Sequence, residues 1–168
     1  QNKVKIISDL ELIQIFKEKN LKIGVTGTNG KSTTTKFIQL SLLSKKQKIT
    51  ACGNIGLPVG NVIKKSNPSD IFVVEASSFQ LDKIDSLKFD ITILLNISKD
   101  HLDWHGSFNK YKESKINIFR NQDKNCFSII CIDDSNCKNI ALNFNKTFTS
   151  KLIKISTKQK IKDGIYLE

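Results

Sequence analysis

The run Thr26-Gly27-Thr28-Asn29-Gly30-Lys31-Ser32-Thr33 combines two glycines, a lysine and adjacent hydroxyls in eight residues. An apolar run precedes it and a helix-period segment follows. In that setting the N–H groups of a Gly-rich turn point inward, the helix N-terminus adds partial positive charge, and Lys31 neutralises outer phosphates. The Ser32 hydroxyl suits Mg²⁺. The expected ligand is a nucleoside triphosphate, ATP in the first instance, bound by Gly27, Thr28, Asn29, Gly30, Lys31, Ser32 and Thr33. The spacing departs from G-x-x-x-x-G-K-[ST]: Val25 stands five before Gly30, and Gly27 stands three before it.

Three further places carry chemistry. Glu75 ends a very apolar run, and a lone carboxylate there needs a partner such as a metal ion held near ATP. Both histidines, His101 and His105, lie among acidic residues in the segment 96–106, and such clustering of scarce ligand-type residues favours a site over solvated loop histidines. In residues 108–120, at about 100° per residue, Phe108, Lys115 and Phe119 fall on one line, so Lys115 sits within the apolar face. That lysine either snorkels to water or is a desolvated amine with a lowered pKa.

Short β-branched runs at 21–25, 49–52, 71–75, 91–97 and 127–132 alternate with helical candidates at 32–43, 59–65, 108–120 and 136–143. Phe37, Leu40 and Leu43 mark the apolar stripe of the first of these helices. The alternation predicts an α/β domain, doubly wound, with a mostly parallel sheet and a P-loop. In such sheets ligands gather at the carboxyl ends of the strands, where the loop, Glu75 and the histidine segment all stand. Residues 151–156 and 164–167 read as a small antiparallel tail. Residues 9–19 read as a helix capped by Ser8 or Asp9, a connector from something upstream.

The 168 residues suffice for one domain with an apolar core, and 39% hydrophobic with 26% charged residues argues against wholesale disorder. The net charge of +11 raises the question of nucleic acid, but Arg120 is the sole arginine, so the guanidinium groups that read phosphates and bases are nearly absent. No nucleic-acid partner is expected, and the field suits a polyanionic substrate. No apolar run is long enough to span a bilayer, and no export signal opens the chain. Cys52, Cys126, Cys131 and Cys137 form no C-x-x-C pair, which fits a reduced, cytoplasmic protein. The start at Gln1 rather than Met suggests a fragment or processed product. The oligomeric state is not encoded.

The phosphate loop resembles the ATP loop of the Mur ligase superfamily, which includes folylpolyglutamate synthetase. Three islands resemble the D-glutamate-adding branch of that family: Gly53-Asn54-Ile55-Gly56-Leu57-Pro58, Glu75-Ala76-Ser77-Ser78-Phe79-Gln80-Leu81, and Asn96-Ile97-Ser98-Lys99-Asp100-His101-Leu102-Asp103-Trp104-His105-Gly106. The resemblance implies that Asn54, Ser77 and His101 contact substrate, and that Ser32, Glu75 and His101 hold Mg²⁺. Tyr111-Lys112-Glu113-Ser114-Lys115 resembles the family's Y-x-x-x-K, which implies a CO₂-derived carbamate on Lys115 that holds a second metal. Catalytic roles fall on Lys31, His101 and Lys115. Cys52 replaces a glycine of the family pattern, and Trp104 stands where arginine is frequent.

The implied reaction joins UDP-MurNAc-L-alanine and D-glutamate through an acyl phosphate, in peptidoglycan precursor synthesis. Residues 1–20 would then be a connector from a missing N-terminal domain, and 21–168 a C-terminally truncated central domain with negligible ligase activity alone. The rival readings are a relative acting on another carboxylate, such as folylpolyglutamate synthetase, and a nucleotide-binding module without chemistry.

Overall fold

The apolar runs become seven strands in a computed structural model that describes residues 4–42 and 47–168. They are β1 (Leu21–Thr26), β2 (Ile49–Gly53), β3 (Ile71–Glu75), β4 (Ile91–Leu94), β5 (Phe127–Cys131), β6 (Lys151–Ser156) and β7 (Gly164–Tyr166), in the order β2-β3-β1-β4-β5-β6-β7. Every neighbouring pair is parallel. The alternation of side chains splits the core between two faces. Phe72 and Val74 of β3 join a large cluster with Leu81, Phe89, Leu94, Tyr111 and Phe119. Val73 points the other way, to Ile23, Val25 and Ile49. Gly24 is needed on the first face, where a Cβ would stand 2.9 Å from the Phe89 ring.

The tail is the main correction to the expected topology. β7 runs parallel to β6, not antiparallel, with Lys154 opposite Gly164 and Ser156 opposite Tyr166. Because β7 pairs only with the last three residues of β6, the chain must descend by roughly 7 Å before pairing, well within the reach of residues 157–163. Asp133 fixes the start of that return by accepting from Thr157 N at 2.9 Å, Thr157 Oγ1 at 2.8 Å and Ser156 Oγ. These donors hold its carboxyl down to about 2.

Helices α1 (Glu11–Phe16), α2 (Lys31–Ser41), α3 (Val59–Lys65), α4 (Ser78–Asp82), α5 (Leu102–His105), α6 (Phe108–Ile116) and α7 (Ser135–Asn143) fill the connections. The expected strand 91–97 stops at Leu94, and the expected helix 108–120 becomes α6 followed by a 3₁₀ turn, Asn117–Phe119. On α2 the apolar stripe is not the buried one. Phe37 and Leu40 are exposed, Thr35 is buried and Ile38 packs on the smaller cluster; Leu43 lies outside the described residues. Burial on α2 is thus set by which face meets the sheet, not by which positions are most apolar.

The expected helix 9–19 is shorter, and neither Ser8 nor Asp9 caps it: its N-cap is Leu10, while Ser8 Oγ accepts from Leu10 N in the turn before. It is also fastened to the domain body. Leu10 and Ile13 are fully buried, and the Glu11 carboxylate accepts from Asp85 N at 2.7 Å, Ser86 N at 3.1 Å, Ser86 Oγ at 2.7 Å and Leu87 N at 3.0 Å. Removing that acceptor leaves three backbone donors without their partner, of which Leu87 N is buried and those of Asp85 and Ser86 lie nearer the surface. Glu11→Ala should therefore cost about 2–4 kcal/mol in urea unfolding; a loss below about 0.5 kcal/mol would mean the clamp contributes nothing.

Candidate nucleotide site at the carboxyl ends of the strands

The parallel register brings the carboxyl ends of β1, β2, β3 and β4 to one edge, with Val25 opposite Glu75, Gly53 opposite Glu75 and Thr26 opposite Leu94. The loop between β1 and α2 turns on Gly30, whose φ of +83° places it in the left-handed region that glycine tolerates. Asn96, just past β4, braces the loop. Its Oδ1 accepts from Thr28 N at 3.1 Å and Asn29 N at 2.8 Å, and its Nδ2 donates to Asn29 O at 3.0 Å. Lys31 Nζ donates to Thr28 O at 2.8 Å, folding over the loop, and Thr33 is exposed on the first turn of α2.

Glu75 is 1% exposed and joins two of the sequence islands to the loop. Its Oε2 accepts from Ser32 Oγ at 2.8 Å, and its Oε1 accepts from Asn54 Nδ2 at 2.9 Å. The turn carrying Asn54 needs Gly53, which has φ +104° and leaves no room for a Cβ against the Glu75 carbonyl. Cys52, the departure from the family pattern, points into the main core, where burial pushes its thiol up to about 12. It takes no part in the site. Ser32 and Glu75 offer a hard oxygen pair suited to Mg²⁺. Among the described residues no three of His, Cys, Asp and Glu gather into a metal cluster.

Lys115 does not snorkel. It is 2% exposed, its Nζ donates to Gly27 O at 2.8 Å, and it lies 4.8 Å from the centre of the Tyr111 ring. Burial, and then repulsion from Lys31, bring its amine down to about 7. Tyr111 Oη shares a hydrogen bond with Thr28 Oγ1 at 2.9 Å, tying α6 to the phosphate loop. His101 stands at φ +49°, an uncommon conformation for a non-glycine residue and one that clusters at functional sites. Its Nε2 is 3.4 Å from Asp100 Oδ2, and its ring is 4.9 Å from that of Phe79. Its bonding partner is thus Asp100 rather than the Ser32–Glu75 pair. Ser77 caps α4, donating to Gln80 Oε1 at 3.1 Å and accepting from Gln80 N at 3.3 Å.

Lys31, Asn54, Ser77, His101 and Lys115 line one cavity of about 210 Å³, together with Asp100 and Tyr111. A cavity of about 250 Å³ beside β7 is apolar, lined by Cys131, Ile155 and Leu167, and offers no comparable chemistry. Sequence reasoning missed Asn96, Tyr111 and Ser78 as parts of the site. Asn96 was findable, because it follows a strand at the same edge as the loop. Trp104 is mostly exposed and meets Phe79 edge-on, so at this position an aromatic rim replaces the frequent arginine.

A family model described as the Mur ligase middle domain matches residues 25–167. The UDP-N-acetylmuramoylalanine–D-glutamate ligase of Clostridioides difficile (strain 630) is 39% identical over 163 residues, covering 97% of this chain and 35% of that protein. The enzyme of the same name from Rickettsia prowazekii (strain Madrid E) is 42% identical over 163 residues, covering 96% and 36%. The chain thus spans about a third of the length of these curated relatives. The solved structure of the MurF ligase from Thermotoga maritima in complex with ADP shares the fold, with a TM-score of 0.64 at 23% identity over 90% of this chain and 35% of that one.

The state of Lys115 has a measurable consequence. An ordinary lysine titrates near 10.5 and folded Lys115 near 7, so between those values the unfolded chain holds one more proton and rising pH favours folding. In CO₂-free buffer the stability of the chain relative to Lys115→Met should therefore rise by about 3 kcal/mol between pH 7 and pH 9.5 in urea unfolding. A difference that stays flat over that interval would show that the amine is not desolvated.

Proposed function

Because the chain belongs to the Mur ligase family through its middle domain, we propose that it is the ATP-binding part of a ligase joining D-glutamate to UDP-MurNAc-L-alanine. One observation carries the reading: Glu75, the phosphate loop, Asn54 and Lys115 converge on one edge of the sheet, although they are scattered over about ninety residues. ATP binding alone requires neither a buried amine nor the Asn54 turn. The two named relatives support the substrate pair, and the ADP complex of a fold relative supports the nucleotide. On this reading residues 1–20 lead into the domain, residues 21–168 belong to it, and the protein works in the cytoplasm, where its four free cysteines stay reduced.

The reaction needs alignment and charge cancellation more than covalent chemistry from the protein. The N–H groups of residues 27–33 and the N-terminus of α2 take the phosphates, and Lys31 leaves the Thr28 carbonyl to neutralise them. The carboxylate of the L-alanyl substrate attacks the terminal phosphorus, and ADP leaves. The D-glutamate amine then attacks the acyl phosphate carbon, phosphate departs, and one proton is released with the amide. Asn54, Ser77 and His101 would hold the muramoyl substrate in the cavity they line. Ser32 and Glu75, with His101 turned from Asp100, would be the protein donors to Mg²⁺, which would supply the charge cancellation that lets two anions meet.

Lys115 fits carbamylation. With its pKa near 7 a large fraction is neutral at physiological pH, and a neutral amine adds CO₂ to give R–NH–COO⁻ and a proton. The product would be an anion beside Lys31, which would remove the repulsion between the two amines and offer an oxygen ligand to a second metal.

Lys31→Ala should weaken ATP binding by this chain more than tenfold in calorimetry, since it removes the one flexible cation at the loop. ¹³C-bicarbonate should give a carbamate resonance that disappears in Lys115→Met; no such resonance at saturating bicarbonate would refute the carbamate. In the full-length protein, ADP formation should require both UDP-MurNAc-L-alanine and D-glutamate. ADP release driven by a different amino acid in place of D-glutamate would overturn the substrate assignment.

A further inference from the structure

His105 is the second histidine of the segment 96–106, and nothing in the mechanism above uses it. It is 8% exposed and sits at the end of α5 between two other buried polar residues, Ser78 at 2% and Ser114 at 3%. Its Nε2 is 3.0 Å from Ser78 Oγ, and its Nδ1 is 3.4 Å from Ser114 Oγ. The direction of these bonds follows from a count of protons. Ser114 has one hydroxyl proton and two acceptor-only neighbours, the Lys110 carbonyl at 2.9 Å and the Asp82 carboxylate at 3.2 Å. With its proton on either of these, Ser114 meets His105 as an acceptor, and Nδ1 carries the ring hydrogen. Nε2 is then left with its lone pair, and Ser78 donates to it.

The ring also has a fixed place among the aromatics that wall the cavity. It stacks on Phe79 at 5.5 Å with 14° between the planes, and it meets Tyr111 edge-on at 5.4 Å. Phe79 in turn packs against His101, and Tyr111 holds the phosphate loop through Thr28. Ser78 is the first residue of α4 and lies between Ser77 and Phe79, all three lining the cavity; Ser114 precedes Lys115. Burial lowers the ring's pKa, as do His101 of the segment before α5 and Lys115 of α6, against the opposing pull of Asp82 and Asp103.

We propose that His105 is a positioning residue: a neutral imidazole that accepts from Ser78 and donates to Ser114, locking the α4 wall of the cavity (Ser77, Phe79 and, through Phe79, the His101 ring) to the turn of α6 that presents Lys115. The role rests on the ligase reading above. It predicts that loss of the lock misplaces the carboxylate substrate far more than the nucleotide loop, because Asn96 braces that loop in addition to Tyr111.

The test uses the full-length protein with His105→Phe, Ser78→Ala, the double variant and His105→Gln. Phe keeps the stack and loses both hydrogen bonds, while Gln can place an amide oxygen where Nε2 stands. His105→Phe and Ser78→Ala should each lower kcat about tenfold or more, with the KM for ATP changed less than twofold. The double variant should be no worse than the poorer single one, and His105→Gln should recover most of the loss. Unchanged kcat in Ser78→Ala, additive losses, or a Gln variant as poor as Phe would overturn the proposal. If the unaltered protein forms no D-glutamate amide, the ligase reading fails, and the tautomer decides the lock separately. Long-range ¹H–¹⁵N spectra of the chain should show Nδ1 protonated and Nε2 bare; the opposite tautomer would refute the arrangement.

Discussion

A buried carboxylate held, among the described residues, by neutral donors is the constraint around which the site is arranged. Glu75 ends β3, which is buried from Phe72 onward, and its partners are a hydroxyl from α2 and an amide from the turn after β2. Neutral hydrogen bonds only partly offset the cost of burying an anion. The geometry is tolerable because parallel strands deliver two polar loops to the same edge, where each reaches the charge. Gly53 makes the closest approach possible, and Ser32 makes the connection to the phosphate loop.

The opposite charge is arranged with similar economy. Lys31 rests on the Thr28 carbonyl of its own loop, and Lys115 donates to the carbonyl of the preceding residue, Gly27. Two amines so close repel each other, and that repulsion helps bring Lys115 down to about 7. The site thus sets two amines, each on its own backbone carbonyl, against the carboxylates of Glu75 and Asp100. On the proposed reading a polyphosphate would bring negative charge to the helix terminus and draw Lys31 from Thr28. The net charge of +11 adds a long-range pull of the same sign, spread over many lysines rather than focused by arginines.

Much of the site was legible from local sequence. The Gly27–Gly30 loop, the carboxylate ending an apolar run, and a lysine within the apolar face of a helix are patterns contained in about a dozen residues each. What was not legible has a common cause. Asn96 braces the loop from about seventy positions away, and His105 acquires its partners from α4 and α6. Phe37 and Leu40 look like a buried stripe until the sheet claims the other side of α2. The tail reads as a hairpin because two short apolar runs separated by a polar stretch are compatible with either direction of return.

Local periodicity and turn chemistry, written in the order of residues, determined that this is an α/β protein with a Gly-rich loop after its first strand, and roughly where its strands lie. Tertiary structure alone decided which strand ends are neighbours, that β7 is parallel, and that Glu75, Asn54, Lys115 and His105 share one edge. The reason is that strand order and register are settled by burying two apolar faces at once, a sum over the whole chain that no single segment contains.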